Sequence, residues 1–215
     1  YEAVKAFSRE IHEGYGSLDI LVNVAGVALF SQLEDMDHAD WEKVMNVNLW
    51  GVIHGIECFV PEMIRARRGG HIVTVSSTAG LIGLPWHAAY AGSKHALVGI
   101  SEVLRYDLKK HGIGVSVVCP GAVNTGMVET VDIHADPQAV SGLKKHFIRI
   151  AMSPEDVARL MVKAIVRNTF LVITSTDIKL LYFLKHHLFP LYHLIMRLAT
   201  RAMDHALTRT SRRCS

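Results

Sequence analysis

The 215-residue sequence predicts an α/β protein built on a doubly wound parallel sheet, and three observations lead there. Short, β-branched apolar runs recur along the chain, each of strand length. Longer segments with apolar residues three to four positions apart separate them, as a strand–helix alternation requires. Half the residues are hydrophobic and only a fifth are charged, enough apolar material for one sizeable core.

The elements follow in order. "YEAVKAFSREIHEGYG" opens the chain as an amphipathic helix, with Val4, Phe7 and Ile11 on one face. "LDILVNVAG" (18–26), "HIVTVSS" (71–77), "GVSVVCPG" (114–121) and "FLVITS" (170–175) are apolar nearly throughout. Such runs suit strands covered on both faces of a parallel sheet. Helices are expected at about 39–66, 88–111 and 155–167. Gly69-Gly70 and Gly112 end the first two, while Ser153-Pro154 with Glu155 and Asp156 starts the third. Ligands of such sheets bind beyond the carboxyl ends of the strands. Asn23-Val24-Ala25-Gly26, Ser76-Ser77 and Pro120-Gly121 therefore matter most.

After about residue 178 the pattern changes to a Leu-, Ile-, Phe- and Met-rich stretch interrupted by Lys179, Lys185, Arg197 and Arg201. Residues 179–215 carry seven Lys/Arg against Asp204, a balance of +6, so the first 178 residues sum to −3. No apolar run is long enough to span a bilayer, and Pro190 interrupts the stretch. Two roles stay open for this tail. It is either a basic amphipathic helix lying on a membrane surface, or a helix packed on the body, on a second subunit or over a lipophilic substrate. Cys58, Cys119 and Cys214 are scattered and odd in number, which points to reduced thiols and a cytoplasmic setting. The thirteen histidines show no metal-ligand spacing beside a cysteine pair, so no metal is expected. Nor is a nucleic-acid partner.

The chemistry turns on a tyrosine. Its hydroxyl has a pKa near 10, and a lysine four residues on along a helix brings a cation that favours the phenolate. Three pairs have that spacing: Tyr1/Lys5, Tyr90/Lys94 and Tyr106/Lys110. A serine is also needed to grip the substrate oxygen. Ser77 precedes Tyr90 by thirteen residues, but Ser93 precedes Tyr106 by the same number. Ser93 and Tyr106 lie along one helix, roughly 20 Å apart by helical rise, and cannot reach one atom. Ser77 ends a strand, and the Gly80–Gly83–Pro85 loop can return the chain so that Tyr90 meets it. The convergent set is Ser77, Tyr90 and Lys94.

These residues sit in motifs that resemble those of the classical short-chain dehydrogenase/reductase family. "VNVAG" is similar to the family's Asn-Asn-Ala-Gly segment, and "MNVNLWG" to the stretch supplying its active-site asparagine, here Asn48. "HIVTVSSTAG" with Tyr90-Ala-Gly-Ser-Lys94 resembles the catalytic serine, tyrosine and lysine, and "CPGAVNT" the Pro-Gly turn facing the nicotinamide. The motifs keep family order over about residues 1–175.

The resemblance implies a Rossmann-like sheet, an NAD or NADP cofactor and interconversion of a carbonyl and a secondary alcohol on a small molecule. Tyr90 would be the acid/base, Lys94 its modulator and a ribose ligand, and Ser77 the substrate-oxygen donor. Asn48 would hold a water in a proton relay, with a buried amide bonded to backbone as the plainer reading. Cofactor contacts would come from Asn23, Ala25, Gly26, Tyr90, Lys94, Pro120, Gly121 and Thr125. Homo-oligomers through the helices near 39–66 and 88–111 are also implied. Ser76 and Cys119 read as structural, whereas Trp86 and His87 are candidates for the pocket wall. The apolar stretch after 178 favours a lipophilic substrate.

Two departures stand out. Val24 replaces the second asparagine, tolerable at a buried strand end. No glycine-rich turn follows a strand, so the family's first three strands are expected to be absent. Residues 1–178 then correspond to the C-terminal part of a Rossmann-like domain, and 179–215 to the tail. Such a chain would expose an apolar sheet edge and grip a dinucleotide weakly. A catalytically silent binding or scaffold protein of the same fold is the competing expectation.

Overall fold

The computed structural model describes residues 1–207; Arg209, Arg212, Arg213 and Cys214 of the basic tail lie outside the described residues. Four parallel strands form the main sheet in the order β1-β3-β4-β6: β1 Ile20–Asn23, β3 Gly70–Val75, β4 Ile113–Cys119 and β6 Leu171–Ile173. A two-stranded parallel pair, β2 Leu29–Phe30 and β5 Asp132–Ile133, stands apart.

Alternation along β3 and β4 sends side chains to both faces. Ile72 and Val115 join Phe59, Val60 and Met63 of α3 (Gly51–Ala66), with α1 (Glu2–Tyr15) adding Val4 and Ile11. Val73 and Val118 turn the other way, onto Val157 of α7 (Pro154–Arg167). Helices on both faces of a parallel sheet make the fold doubly wound and Rossmann-like.

The predicted helix over 39–66 is divided. α2 (His38–Met45) passes through a π-helical turn, Asn46–Trp50, into α3. That extra residue per turn carries Asn48 fully into the interior. Helix α4 (Ala88–Asp107) follows a short 3₁₀ turn at Thr78–Gly80. Ser77 caps that turn, its hydroxyl accepting from the Ala79 N–H at 3.2 Å.

Two helices lie outside the expected ones: the four-residue α5 (Met127–Thr130) and the 14-residue α6 (Pro137–Ile150). Asp136 caps α6, accepting from the Gln138 and Ala139 N–H groups, with Pro137 in the first turn. It is the same start signature as Ser153-Pro154, which begins α7.

β1 departs from the expected fully covered strand. It is the sheet edge, and Ile20, Val22 and the following Val24 are each about half exposed. Val24 is therefore not at a buried strand end, because no strand lies beyond β1 among the described residues.

The tail forms α8 (Thr176–His187) and α9 (Phe189–Leu207), with Pro190 in the first turn of the second helix, where its missing N–H costs nothing. Leu184 and Tyr192 are buried against Leu81, Ile82 and Val117. Polar contacts bind the same loop. Lys185 donates to the Leu81 carbonyl at 2.6 Å, the Gly83 N–H to Tyr192 Oη at 3.1 Å, and Trp86 Nε1 to Asp204 at 2.8 Å. The tail thus packs on the body. No helix among the described residues is long and apolar enough to cross a membrane.

Candidate active site

A cavity of about 420 Å³ opens at the carboxyl ends of β3 and β4. Ser77, Tyr90 and Lys94 line it together with Pro120, Gly121 and Thr125. The strand end supplies Ser77, the first turns of α4 supply Tyr90 and Lys94, and the turn after β4 supplies the rest. Its other walls are mainly apolar: Phe30 from β2, Leu84 from the loop, Met127 from α5, Phe147 from α6 and Met161 from α7. α5, β5 and α6 roof the cavity with Met127, Ile133 and Phe147. β5 is held to α2 by Lys43–Asp132 at 3.5 Å; after β5, the His134 N–H donates to the Phe30 carbonyl at 2.9 Å and its ring Nδ1 lies 3.1 Å from the Asp35 carbonyl.

The rival pairs fall away. Tyr106 is 69% exposed on the outer face of α4. Lys5 lies over the Tyr1 ring at 5.4 Å, a surface cation–π contact outside the cavity lining. Ser93, the rival serine, is fully buried and donates to the Tyr90 carbonyl at 2.7 Å.

Electrostatics within the set differ from expectation. The buried Tyr90 phenol is pushed above its ordinary pKa by desolvation, with the Ser77 hydroxyl pulling the other way and Cys119 adding to the rise. The anticipated depression by Lys94 is not realised. The ammonium turns instead to the Val75 carbonyl at 3.1 Å and stands 5.8 Å from the tyrosine ring centre. Burial lowers Lys94 to about 8, with Cys119 opposing. At pH 7 it remains about nine-tenths charged. Tyr90 is therefore a phenol, ready to donate a proton, beside a desolvated cation. His87 lines the cavity and is held neutral, lowered to about 4 by burial against the opposing Pro85 carbonyl.

The side chain of Asn48 bonds to the Val27 backbone and to Ser93. The Val27 N–H donates to its Oδ1 at 2.8 Å, and its Nδ2 donates to the Val27 carbonyl at 3.0 Å and to Ser93 Oγ at 3.1 Å. It clamps the segment after β1 to the start of α4. A Cβ on Gly26 would come within 3.2 Å of Asn48 Oδ1 and 3.3 Å of Lys94 Nζ, so the backbone approaches both closely. Ala25 is exposed and Gly26 half-buried. Asn23 points away from the cavity, its Oδ1 lying against Gly55 of α3. Ser76 is structural: its hydroxyl donates to the Lys94 carbonyl at 2.8 Å. Cys119 is fully buried, its thiol raised to about 12 chiefly by desolvation, which suits a core residue and not a nucleophile. Of the wall candidates, His87 lines the cavity, whereas Trp86 turns to Asp204.

Comparison with known proteins gives the family. A family model described as short chain dehydrogenase matches residues 1–136. The chain is 34% identical over 171 residues to a Mycobacterium tuberculosis protein named "Probable oxidoreductase EphD", covering 76% of this chain and 29% of that one. It is 32% identical over 188 residues to the C alpha-dehydrogenase of Sphingobium sp., covering 83% of this chain and 62% of that one. The chain thus spans less than two thirds of the length of these curated relatives. A short chain dehydrogenase/reductase from Burkholderia phymatum, solved in complex with NAD, superposes with a TM-score of 0.77 at 32% identity, covering 87% of this chain and 72% of that one. Family model, relatives and solved structure agree, and the chain belongs to the short-chain dehydrogenase family.

Proposed function

We propose that the protein carries the acid/base half of a nicotinamide-dependent oxidoreductase that interconverts a carbonyl and a secondary alcohol. The observation carrying this reading is that Ser77, Tyr90 and Lys94 line one apolar cavity at the strand ends, while the other two tyrosine–lysine pairs lie outside. Tyr90 Oη gives its proton to the carbonyl oxygen in reduction and takes it back in oxidation. Ser77 holds that oxygen with its hydroxyl, and Lys94 holds positive charge near the phenolate that results.

The residues present fit the nicotinamide end of the cofactor. An ammonium has three donors, and the buried Lys94 is bonded to the Val75 carbonyl, which leaves donors for ribose hydroxyls. The Pro120-Gly121 turn with Thr125 lines the cavity beside Lys94, and the Gly26 backbone approaches Lys94 Nζ closely. When bound, NAD or NADP supplies the hydride acceptor or donor. The B. phymatum relative's bound NAD supports that class of cofactor. Asn48 acts as a positioning residue for the segment carrying Gly26.

The apolar walls, Phe30, Leu84, Met127, Phe147 and Met161, favour a lipophilic substrate. Val47, Trp50, Val103 and Tyr106, exposed on the α2–α3 and α4 helices, support self-association there.

Turnover of a panel of ketones and secondary alcohols with each nicotinamide cofactor tests the reading. Tyr90→Phe should lower it by about a thousandfold while leaving the unfolding midpoint in place. Undiminished turnover in that variant would refute Tyr90 as the acid/base.

A further inference from the structure

Helices α8 and α9 present two faces of opposite use. Inward, Leu184, Tyr192 and Met196 pack on the loop at 81–86. Outward, α9 shows Leu191, Leu194 and Leu198, and α8 shows Leu180 and Phe183, each between 45% and 58% exposed. The spacing of three and four residues puts the α9 leucines on one stripe, on the opposite side from Tyr192 and Met196. Helical rotation places Arg197 and Arg201, both exposed, along the edge of that stripe. Lys179 is exposed beside Leu180 in the same way.

The charge around this face is mainly positive. The acids between residues 176 and 207 are Asp177, at the start of α8, and Asp204, which faces the Trp86 indole. Residues 179–215 sum to +6 while the rest of the chain sums to −3. A cluster of large apolar side chains edged by cations, with Asp177 the one exposed acid of the hairpin among the described residues, is the make-up of an interfacial helix.

From this arrangement we infer that the outer face of the α8–α9 hairpin docks on an anionic lipid surface. The leucines and Phe183 enter the acyl boundary, and Lys179, Arg197 and Arg201 sit among the headgroups. Charge complementarity selects this occupant over a second copy. Two such faces paired about a two-fold axis would gather six cations, Lys179, Arg197 and Arg201 of each copy, against only the Asp177 of each. The protein lies on the membrane and does not cross it, since neither helix is long and apolar enough. The hairpin also adjoins an element of the cavity wall: α9 touches α6, which carries Phe147.

Flotation with lipid vesicles decides the matter. The 215-residue chain should float with phosphatidylcholine vesicles carrying about one third phosphatidylserine, and bind pure phosphatidylcholine about tenfold less. Leu194→Ser/Leu198→Ser and Arg197→Glu/Arg201→Glu should each reduce binding to the anionic vesicles by about tenfold or more, with unchanged circular-dichroism melting. Val103→Ser, at an exposed site on α4, should leave binding as it is. No flotation with anionic vesicles would overturn the inference, as would variants that bind like the parent chain. A parent chain that is dimeric in sedimentation and becomes monomeric in Leu194→Ser/Leu198→Ser, without binding vesicles, would assign the face to a second copy instead.

Discussion

Tyr90 and Cys119 show how burial sets the protonation of the site. Both lose water at the strand ends, and both are driven toward their neutral forms. For Cys119 the unfolded thiol ionises near 9 and the folded one near 12. Its contribution to stability is full below 9 and is lost as pH rises toward 12. Cys119→Ala should flatten that alkaline loss, read as the unfolding midpoint against pH. In the native chain at pH 8, Cys119 should also resist alkylation until denaturant is added, as peptide mass spectrometry would record. Asn48 permits a sharper test. Its amide satisfies both backbone groups of Val27, so Asn48→Ala leaves a buried N–H unpaired and should cost about 1–3 kcal/mol in urea denaturation. Sequence spacing alone left three tyrosine–lysine pairs, and helix rise with strand-end placement selected the one that the cavity contains. The direction of the Tyr90 shift was not legible, because it depends on how dry the cavity is and where Lys94 points.

Among the elements, α4 and β3 were legible because their patterns are long and apolar and their ends are marked. The π-helical turn at Asn46–Trp50 was not, since one extra residue per turn leaves no mark in a periodic pattern. The pair β2–β5 consists of two-residue strands, too short for any periodicity. α6 has a local start signature at Asp136-Pro137, but its length and packing are set by the fold. β1 bears the element-scale prediction. Its outer edge has no strand partner among the described residues, and it exposes Ile20 and Val22, so it offers a template for further strands. Val22→Lys should reduce concentration-dependent light scattering of the 215-residue chain and leave its circular dichroism unchanged. Equal scattering would mean that association uses another surface.

At the scale of the whole molecule, the tail and the body share one core. Leu184 is 8% exposed among Leu81, Ile82 and Val117, so Leu184→Ala should lower the stability of the entire chain by about 2–4 kcal/mol. Unfolding followed at Trp86, which is bonded to Asp204, should shift with the global transition. A tail that unfolded separately would leave the body's midpoint where it was. The local pattern of this chain was enough to specify the parallel sheet, the helices of α4 and α7, and the serine–tyrosine–lysine set. Each of these follows from periodicity, caps or helical rise, which act over a few residues. Only the folded structure decided that the tail packs inward, that α5, β5 and α6 roof the cavity, and that Asn48 clamps Val27. Those outcomes depend on contacts between residues far apart in the chain, where burial and partner geometry outweigh any local preference.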